Sequence, residues 1–153
     1  MDVKQLKLRM ADLCARSEQC EYDIMVKLKR AGITYREAAE IIEALKRDKF
    51  LSDSRYARAF ANDKVRFSGW GRNKIRVALI AKRIPEACIR EALDDIDEDE
   101  YLESLTRVAV AKARGLDLSD YRQRQKFYRS MMSRGFESSA ITSIISTLRE
   151  DNM

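Results

Sequence analysis

The chain contains no histidine, one proline and five glycines in 153 residues. Without histidine, the side chain that most often moves protons near neutral pH is missing. A structural zinc site would have to rely on cysteine, and there are only three, Cys14, Cys20 and Cys88, with no Cys-x-x-Cys pair. Their odd number and irregular spacing fit small buried side chains in a reducing compartment better than a disulfide framework. No apolar run approaches the roughly 18–20 residues of a membrane-spanning helix. The first residues, Met1 to Lys7, are charged and lack the apolar core of a secretory leader. A cytoplasmic location without membrane contact is therefore expected. There is no nucleophile elbow and no Walker-type loop: Gly69-Trp70-Gly71-Arg72-Asn73-Lys74 lacks the glycine spacing and the Lys-Ser/Thr ending. The carboxylates Asp94, Asp95, Asp97, Glu98, Asp99 and Glu100 read as a solvated helix junction rather than a metal site. These absences point to a protein that is not an enzyme and needs no cofactor or metal.

The same scarcity of breakers favours helix throughout, as do the frequent Ala, Leu, Arg, Lys and Glu. Hydrophobic residues make up 45% and charged residues 36%, enough apolar surface for a folded chain. That apolar surface is periodic. Aligned on Ile33, Ile84 and Phe136, the apolar positions coincide three times. Nine residues before the anchor stand Ile24, Ile75 and Phe127; five before it stand Leu28, Leu79 and Met131. Five after it come Ala38, Ile89 and Ile141, with Ile41, Ala92 and Ile144 at eight. Ile42, Leu93 and Ile145 follow at nine, and Leu45, Ile96 and Leu148 at twelve. The spacing is helical, and a period of about 50 residues is that of a tandem-repeat architecture.

Each unit reads as helix, short turn, helix, preceded by a less regular leading helix. The pattern predicts an all-α chain of nine helices near 3–14, 18–31, 35–47, 53–67, 71–83, 86–96, 98–114, 119–134 and 138–149. They form three units over 1–49, 50–97 and 98–153. Gly32 and Gly135 precede their anchors, where positive φ commonly ends a helix; the middle unit has Arg83 there, with Pro85 expected to open the next helix. Ser17-Glu18, Ser52-Asp53 and Ser119-Asp120 read as amino-terminal caps.

Charge departs from the repeat. The net charge is +5, a weak pointer to an anionic partner. Lys64, Arg66, Arg72, Lys74, Arg76, Lys82 and Arg83 occur with no acidic residue among them, interleaved with Trp70, and the acidic block follows. A second basic stretch holds Arg122, Arg124, Lys126 and Arg129. These residues are the candidate partner- or DNA-binding positions. Either they meet phosphates or an acidic protein surface, or they are solvated helix faces. No acid stands at i±4 within 72–83 to pair with them, and cations at a helix start oppose its dipole unless an anion offsets them. Trp70, the single tryptophan, either stacks on a base, fills a partner pocket, or covers neighbouring helix ends.

Three segments together resemble a known family: Arg16-Ser17-Glu18 leading to Lys27-Leu28 and Gly32-Ile33; Phe50-Leu51-Ser52-Asp53 with Tyr56-Ala57 and Phe60; and Gly71-Arg72-Asn73-Lys74-Ile75 with Leu79 and Lys82-Arg83-Ile84. The chain looks like RecX, the bacterial regulator of the RecA recombinase. The resemblance implies three tandem three-helix repeats in an elongated, curved array. It also implies a monomer that binds RecA and the RecA–DNA filament, inhibiting recombinase and coprotease functions. Some members contact single- or double-stranded DNA directly. Here Trp70-Gly71-Arg72-Asn73 replaces the family's usual Gly-Lys-Gly-Pro turn and Lys82-Arg83-Ile84 its Lys-Gly-Ile. The central partner contact is therefore expected to differ. From the residues alone, a helical DNA-binding protein acting without RecA, or a scaffold that binds only another protein, stays open.

Overall fold

The structure, a computed structural model, describes residues 1–151 and contains nine α-helices and no strand among them. They are α1 (Val3–Arg16), α2 (Glu21–Arg30), α3 (Tyr35–Arg47), α4 (Asp53–Asp63), α5 (Arg72–Ala81), α6 (Glu86–Asp94), α7 (Glu98–Ala113), α8 (Tyr121–Ser133) and α9 (Ser138–Asp151). The fold is the all-α repeat that the periodicity predicts. All the matched apolar positions are buried except Ile33 and Leu148, which are half-buried. The leading helices share more of the repeat than expected. Leu6, Met10 and Cys14 of α1 precede Ile33 by the same 27, 23 and 19 residues that separate Ala57, Ala61 and Val65 from Ile84, and all six are buried.

The turn before each anchor has one geometry in all three units. Gly32, Arg83 and Gly135 all have positive φ, at 89°, 57° and 94°. In the second and third units the anchor N–H reaches back to the carbonyl five residues earlier, Ile84 to Leu79 and Phe136 to Met131. That is the Schellman closure, in which two orphan carbonyl groups at the helix end find donors. Arg83 adopts this conformation without glycine's freedom, at a cost of about 1–2 kcal/mol.

Of the three expected caps Ser52 is in place, Ser17 is not, and at the third Asp120 rather than Ser119 does the capping. Ser52 Oγ accepts from Arg55 N–H at 3.2 Å, and Thr34 closes a reciprocal capping box with Glu37. Ser17 instead ends α1, because α2 starts later, after Cys20, and its Glu21 N–H is met by Asp53 Oδ1 at 2.9 Å. At α8 the cap is Asp120, accepting from Gln123 N–H at 3.1 Å. Pro85 stands just before α6, its carbonyl accepting from the Ile89 N–H. The expected helix over 53–67 is α-helical only to Asp63 and continues as a single π turn over Lys64–Ser68.

Contacts group the chain into two compact units, Met1–Ala59 with Leu79–Ala92, and Phe60–Ala78 with Leu93–Met153. In the first, Leu6, Met10, Ile24, Leu28, Ile41 and Leu45 build a core from α1, α2 and α3. In the second, α7, α8 and α9 pack on one another around Phe127, Met131, Phe136 and Ile141, all fully buried. None of the helices is long and apolar enough to cross a membrane. Cys14 and Cys20 are buried and Cys88 half-buried, all as free thiols; burial pushes the Cys20 thiol up to about 11, so it is a poor nucleophile.

Candidate functional site

The second of the two compact units holds most of the candidate residues, and its geometry starts from two glycines. At Gly71 an added Cβ would lie 2.4 Å from the backbone of Gly135 and Phe136, and at Gly135 it would lie 2.4 Å from Lys74. With no side chain on either, the start of α5 abuts the end of α8. Gly71 N–H donates to Arg134 O at 2.8 Å and Asn73 N–H to Gly135 O at 2.9 Å. Orphan donors of one helix thereby meet orphan acceptors of another, with favourable alignment of their dipoles.

Arg72, the first residue of α5, is consequently enclosed. Its Nη2 donates to Glu98 Oε1 at 2.7 Å, its Nη1 to Glu137 Oε2 at 3.3 Å, and its Nε to Leu93 O at 3.4 Å. The guanidinium lies 4.1 Å from the centre of the Tyr101 ring. Tyr101 O–H donates to Glu137 and accepts from Arg72 N–H. Burial foremost, then the bond to Glu137, holds this phenol well above its usual range, so it stays protonated. Glu98 and Glu137 are thus the anions that offset cations at the helix start. Arg66 is likewise engaged, bidentate to Glu100 at 3.1 and 3.2 Å. Part of the acidic block is therefore the counter-charge of the basic run, brought to it by folding; Asp97 caps α7.

The π turn carries a second arrangement. Ser104 Oγ donates to Val65 O at 2.8 Å and Arg107 Nη2 to Arg66 O at 3.3 Å, bracing the turn from α7. Gly69, at φ 64°, closes it where a Cβ would meet Val108 at 2.7 Å. Beyond it stands Trp70, half-buried, edge-on to Phe60 with centroids 6.2 Å apart. The ammonium groups of Lys64 and Lys74 each lie 4.6 Å from the centre of the indole. Neither lysine has a carboxylate within 4.0 Å among the described residues. Phe67, on the same turn, is 82% exposed.

The other candidates divide further. Arg122, Lys126 and Arg129 are exposed on α8 at helical spacing, forming one stripe. Arg124 turns away, donating to Leu118 O at 3.0 Å. Arg76 is half-buried on α5. In the first of the two compact units, Lys82 donates to Asp23 at 2.8 Å, a bond that holds its ammonium above the usual range. Arg83 lies 5.1 Å from the Tyr22 ring centre. It lines a groove of about 600 Å³ with Tyr22, Met25, Tyr35 and Ile42. Sequence reasoning missed Tyr101, Glu137 and Phe60 as partners of the basic residues. The signal for Glu137 lies in the repeat: one position after the anchor stand Thr34, Pro85 and Glu137, three different solutions to opening a helix. Among the described residues no cluster of His, Cys, Asp and Glu is arranged to hold a metal ion.

Residues 52–93 match the family model described as the second three-helix domain of RecX, and residues 98–145 match that of the third. Regulatory protein RecX of Clostridium perfringens is 29% identical over 136 residues, covering 87% of this chain and 63% of that protein. Its counterpart in Acinetobacter baylyi is 29% identical over 140 residues, covering 91% and 85%. The chain spans less than two thirds of the length of the Clostridium perfringens and Clostridium botulinum relatives. A crystal structure of RecX from Lactobacillus salivarius superimposes with a TM-score of 0.84 at 21% identity, covering 96% of each chain, which is likeness of fold.

Proposed function

Because the chain belongs to the RecX family, we propose that it is a non-catalytic regulator that binds the RecA recombinase on its DNA filament and restrains recombinase and coprotease activity. The family match over the second and third three-helix domains carries this reading. The organisation follows from it as three repeat units over 1–49, 50–97 and 98–153, acting as a binding surface rather than a reaction centre. Partner contact falls to the cations left without carboxylates: Lys64 and Lys74 on Trp70, and the stripe Arg122, Lys126 and Arg129. Arg66, Arg72 and Lys82, engaged with Glu100, with Glu98 and Glu137, and with Asp23, hold the fold instead.

The test is RecA-catalysed ATP hydrolysis and strand exchange on single-stranded DNA with and without the protein. Suppression of both is expected; no effect on either overturns the proposal. The exposed α8 stripe supports a second reading, a DNA-binding protein that acts without RecA. Gel shift on naked duplex beside binding to an assembled filament separates them. Sequence-specific binding to naked duplex, with none to the filament, favours the second.

A further inference from the structure

At Arg83 the fold keeps a strain that glycine would remove. The residue holds positive φ, at 57°, where the equivalent turns use Gly32 and Gly135. Strain retained at such a position points to work done by the side chain. The Arg83 guanidinium lies 5.1 Å from the centre of the Tyr22 ring, on the wall of the groove of about 600 Å³ in the first of the two compact units. Seven residues along α2 (29 − 22) the arrangement recurs: the Lys29 ammonium stands 5.7 Å from the centre of the Tyr35 ring. Neither cation has a carboxylate within 4.0 Å among the described residues, so cation–π contact fixes each head group while its N–H donors stay available. The carboxylates of the groove are engaged instead. Glu21 and Glu43 share Lys46 at 3.2 and 3.6 Å, and Asp53 accepts from the Glu21 N–H at 2.9 Å.

Between the two cations the floor is apolar, built from Met25 and Val26 of α2 and Ala39 and Ile42 of α3. The repeat does not demand this. At the positions of Tyr22, Val26 and Tyr35, counted from the anchor, the third repeat carries Gln125, Arg129 and Ser138. Its own groove between α8 and α9 is smaller, about 320 Å³, and includes Gln125, Thr142 and Ser146. The apolar floor and its aromatic rim therefore belong to the first repeat alone. Two helices packed side by side, as α2 and α3 are, leave a trough shaped for a third. Seven residues of helix span about 10 Å, so carboxylates seven residues apart on a docked helix reach both cations. A basic segment would find the acids already bonded, and a phosphate backbone gains nothing from an apolar floor.

We infer that the groove between α2 and α3 is a docking site for an acidic amphipathic helix of a partner protein, which sets its apolar side chains on Met25, Val26 and Ile42 and its carboxylates on Lys29 and Arg83. Tyr22 and Tyr35 are positioning residues that hold the two cations at the rim. The inference deepens the proposed function and rests on it only in taking the recombinase as the owner of that helix.

Tyr35, 67% exposed at the rim, is the place for a photo-crosslinking side chain. The full chain carrying Tyr35→p-benzoylphenylalanine is irradiated with an assembled RecA filament on single-stranded DNA, and the joined residues are identified by mass spectrometry. A crosslink to a RecA segment with apolar residues at helical spacing, flanked by Asp or Glu, is expected. Crosslinking to DNA, to a second copy of this chain, to a basic segment or to nothing overturns the site. Affinity for the filament supplies a second measurement, with circular dichroism melts to establish that each variant is folded. Arg83→Gly combined with Lys29→Gln is expected to weaken binding about tenfold, some threefold for each cation, and to make it less sensitive to salt. Because Arg83→Gly also relieves backbone strain, weaker binding in a protein that melts no lower separates contact from structure. Val26→Asp, which sets a like charge in the floor, is expected to weaken binding at least tenfold. Filament affinity unchanged in either variant overturns the groove, and filament regulation that persists then leaves the proposed function standing. A synthetic peptide helix with a leucine stripe flanked by glutamates separates the opposite case. If it binds the parent but not the variant lacking both cations, in a protein without effect on RecA, the groove stands and the proposed function falls.

Discussion

Replacing Gly71 by alanine isolates the contact on which the second unit depends. Gly71 does not occupy the positive-φ region, so alanine meets no backbone penalty there. The added methyl would lie 2.4 Å from the carbonyl carbon and oxygen of Gly135 and the nitrogen of Phe136. These are backbone atoms that cannot rotate away. Relief needs the start of α5 and the end of α8 to separate by about 1 Å, to ordinary van der Waals distance. That separation breaks the bonds Gly71 N–H to Arg134 O and Asn73 N–H to Gly135 O, worth about 1 kcal/mol each and more where a group stays unsatisfied. Loosening of the Arg72–Tyr101–Glu137 network beside them adds about 1 kcal/mol. Alanine recovers about 0.4–1 kcal/mol by restricting the unfolded chain. The net expectation is a loss of about 2–3 kcal/mol, or about 5–10 °C in melting temperature for a chain of this size. Gly115→Ala is the control: φ is 74° and no atom lies within 4 Å of the added carbon, so only the left-handed penalty of about 1 kcal/mol applies. Urea unfolding followed by circular dichroism measures both, and hydrogen exchange at the Asn73 amide reports the broken bond. A Gly71→Ala protein within about 0.5 kcal/mol of the parent, its Asn73 amide still protected, would refute the reasoning.

Arg83→Gly removes a left-handed non-glycine residue and is expected to raise stability by about 0.5 kcal/mol, the strain relieved less glycine's larger entropy loss; a thermal melt at or below the parent's contradicts it. Tyr101→Phe strands the Arg72 N–H and the Glu137 carboxylate that share its hydroxyl, and is expected to cost about 1–3 kcal/mol in urea unfolding. Asp53 supplies a pH dependence. Burial, only partly opposed by the Glu21 N–H, pushes its carboxyl up to about 6 from its ordinary 3.8. The folded state therefore holds this proton more tightly than the unfolded chain does, so Asp53's contribution falls as pH rises from about 4 through 6. Melts taken from pH 7 down to 4.5 are expected to show a stabilising component that Asp53→Asn abolishes; identical pH profiles would exclude it.

What the chain decides for itself is local. Apolar residues at helical spacing, repeated three times, mark the helices and the side chains that fill the core, because burying one stripe of a helix depends on period alone. Gly32 and Gly135 mark their turns, and Arg83 could be placed in the same conformation by alignment with them. The π turn at Lys64–Ser68 was not legible, since it answers to Ser104, Arg107 and Val108 some forty residues on. Nor was the division of the cations. A basic run with no acid at i±4 reads as unpaired, yet folding supplies Glu98, Glu100 and Glu137 to Arg66 and Arg72, and Asp23 to Lys82. It sets Lys64 and Lys74 on an indole instead. Coulomb attraction acts across space without regard to separation along the chain. The repeat is therefore written in the sequence, and which of its charges remain for a partner is decided only when the helices pack.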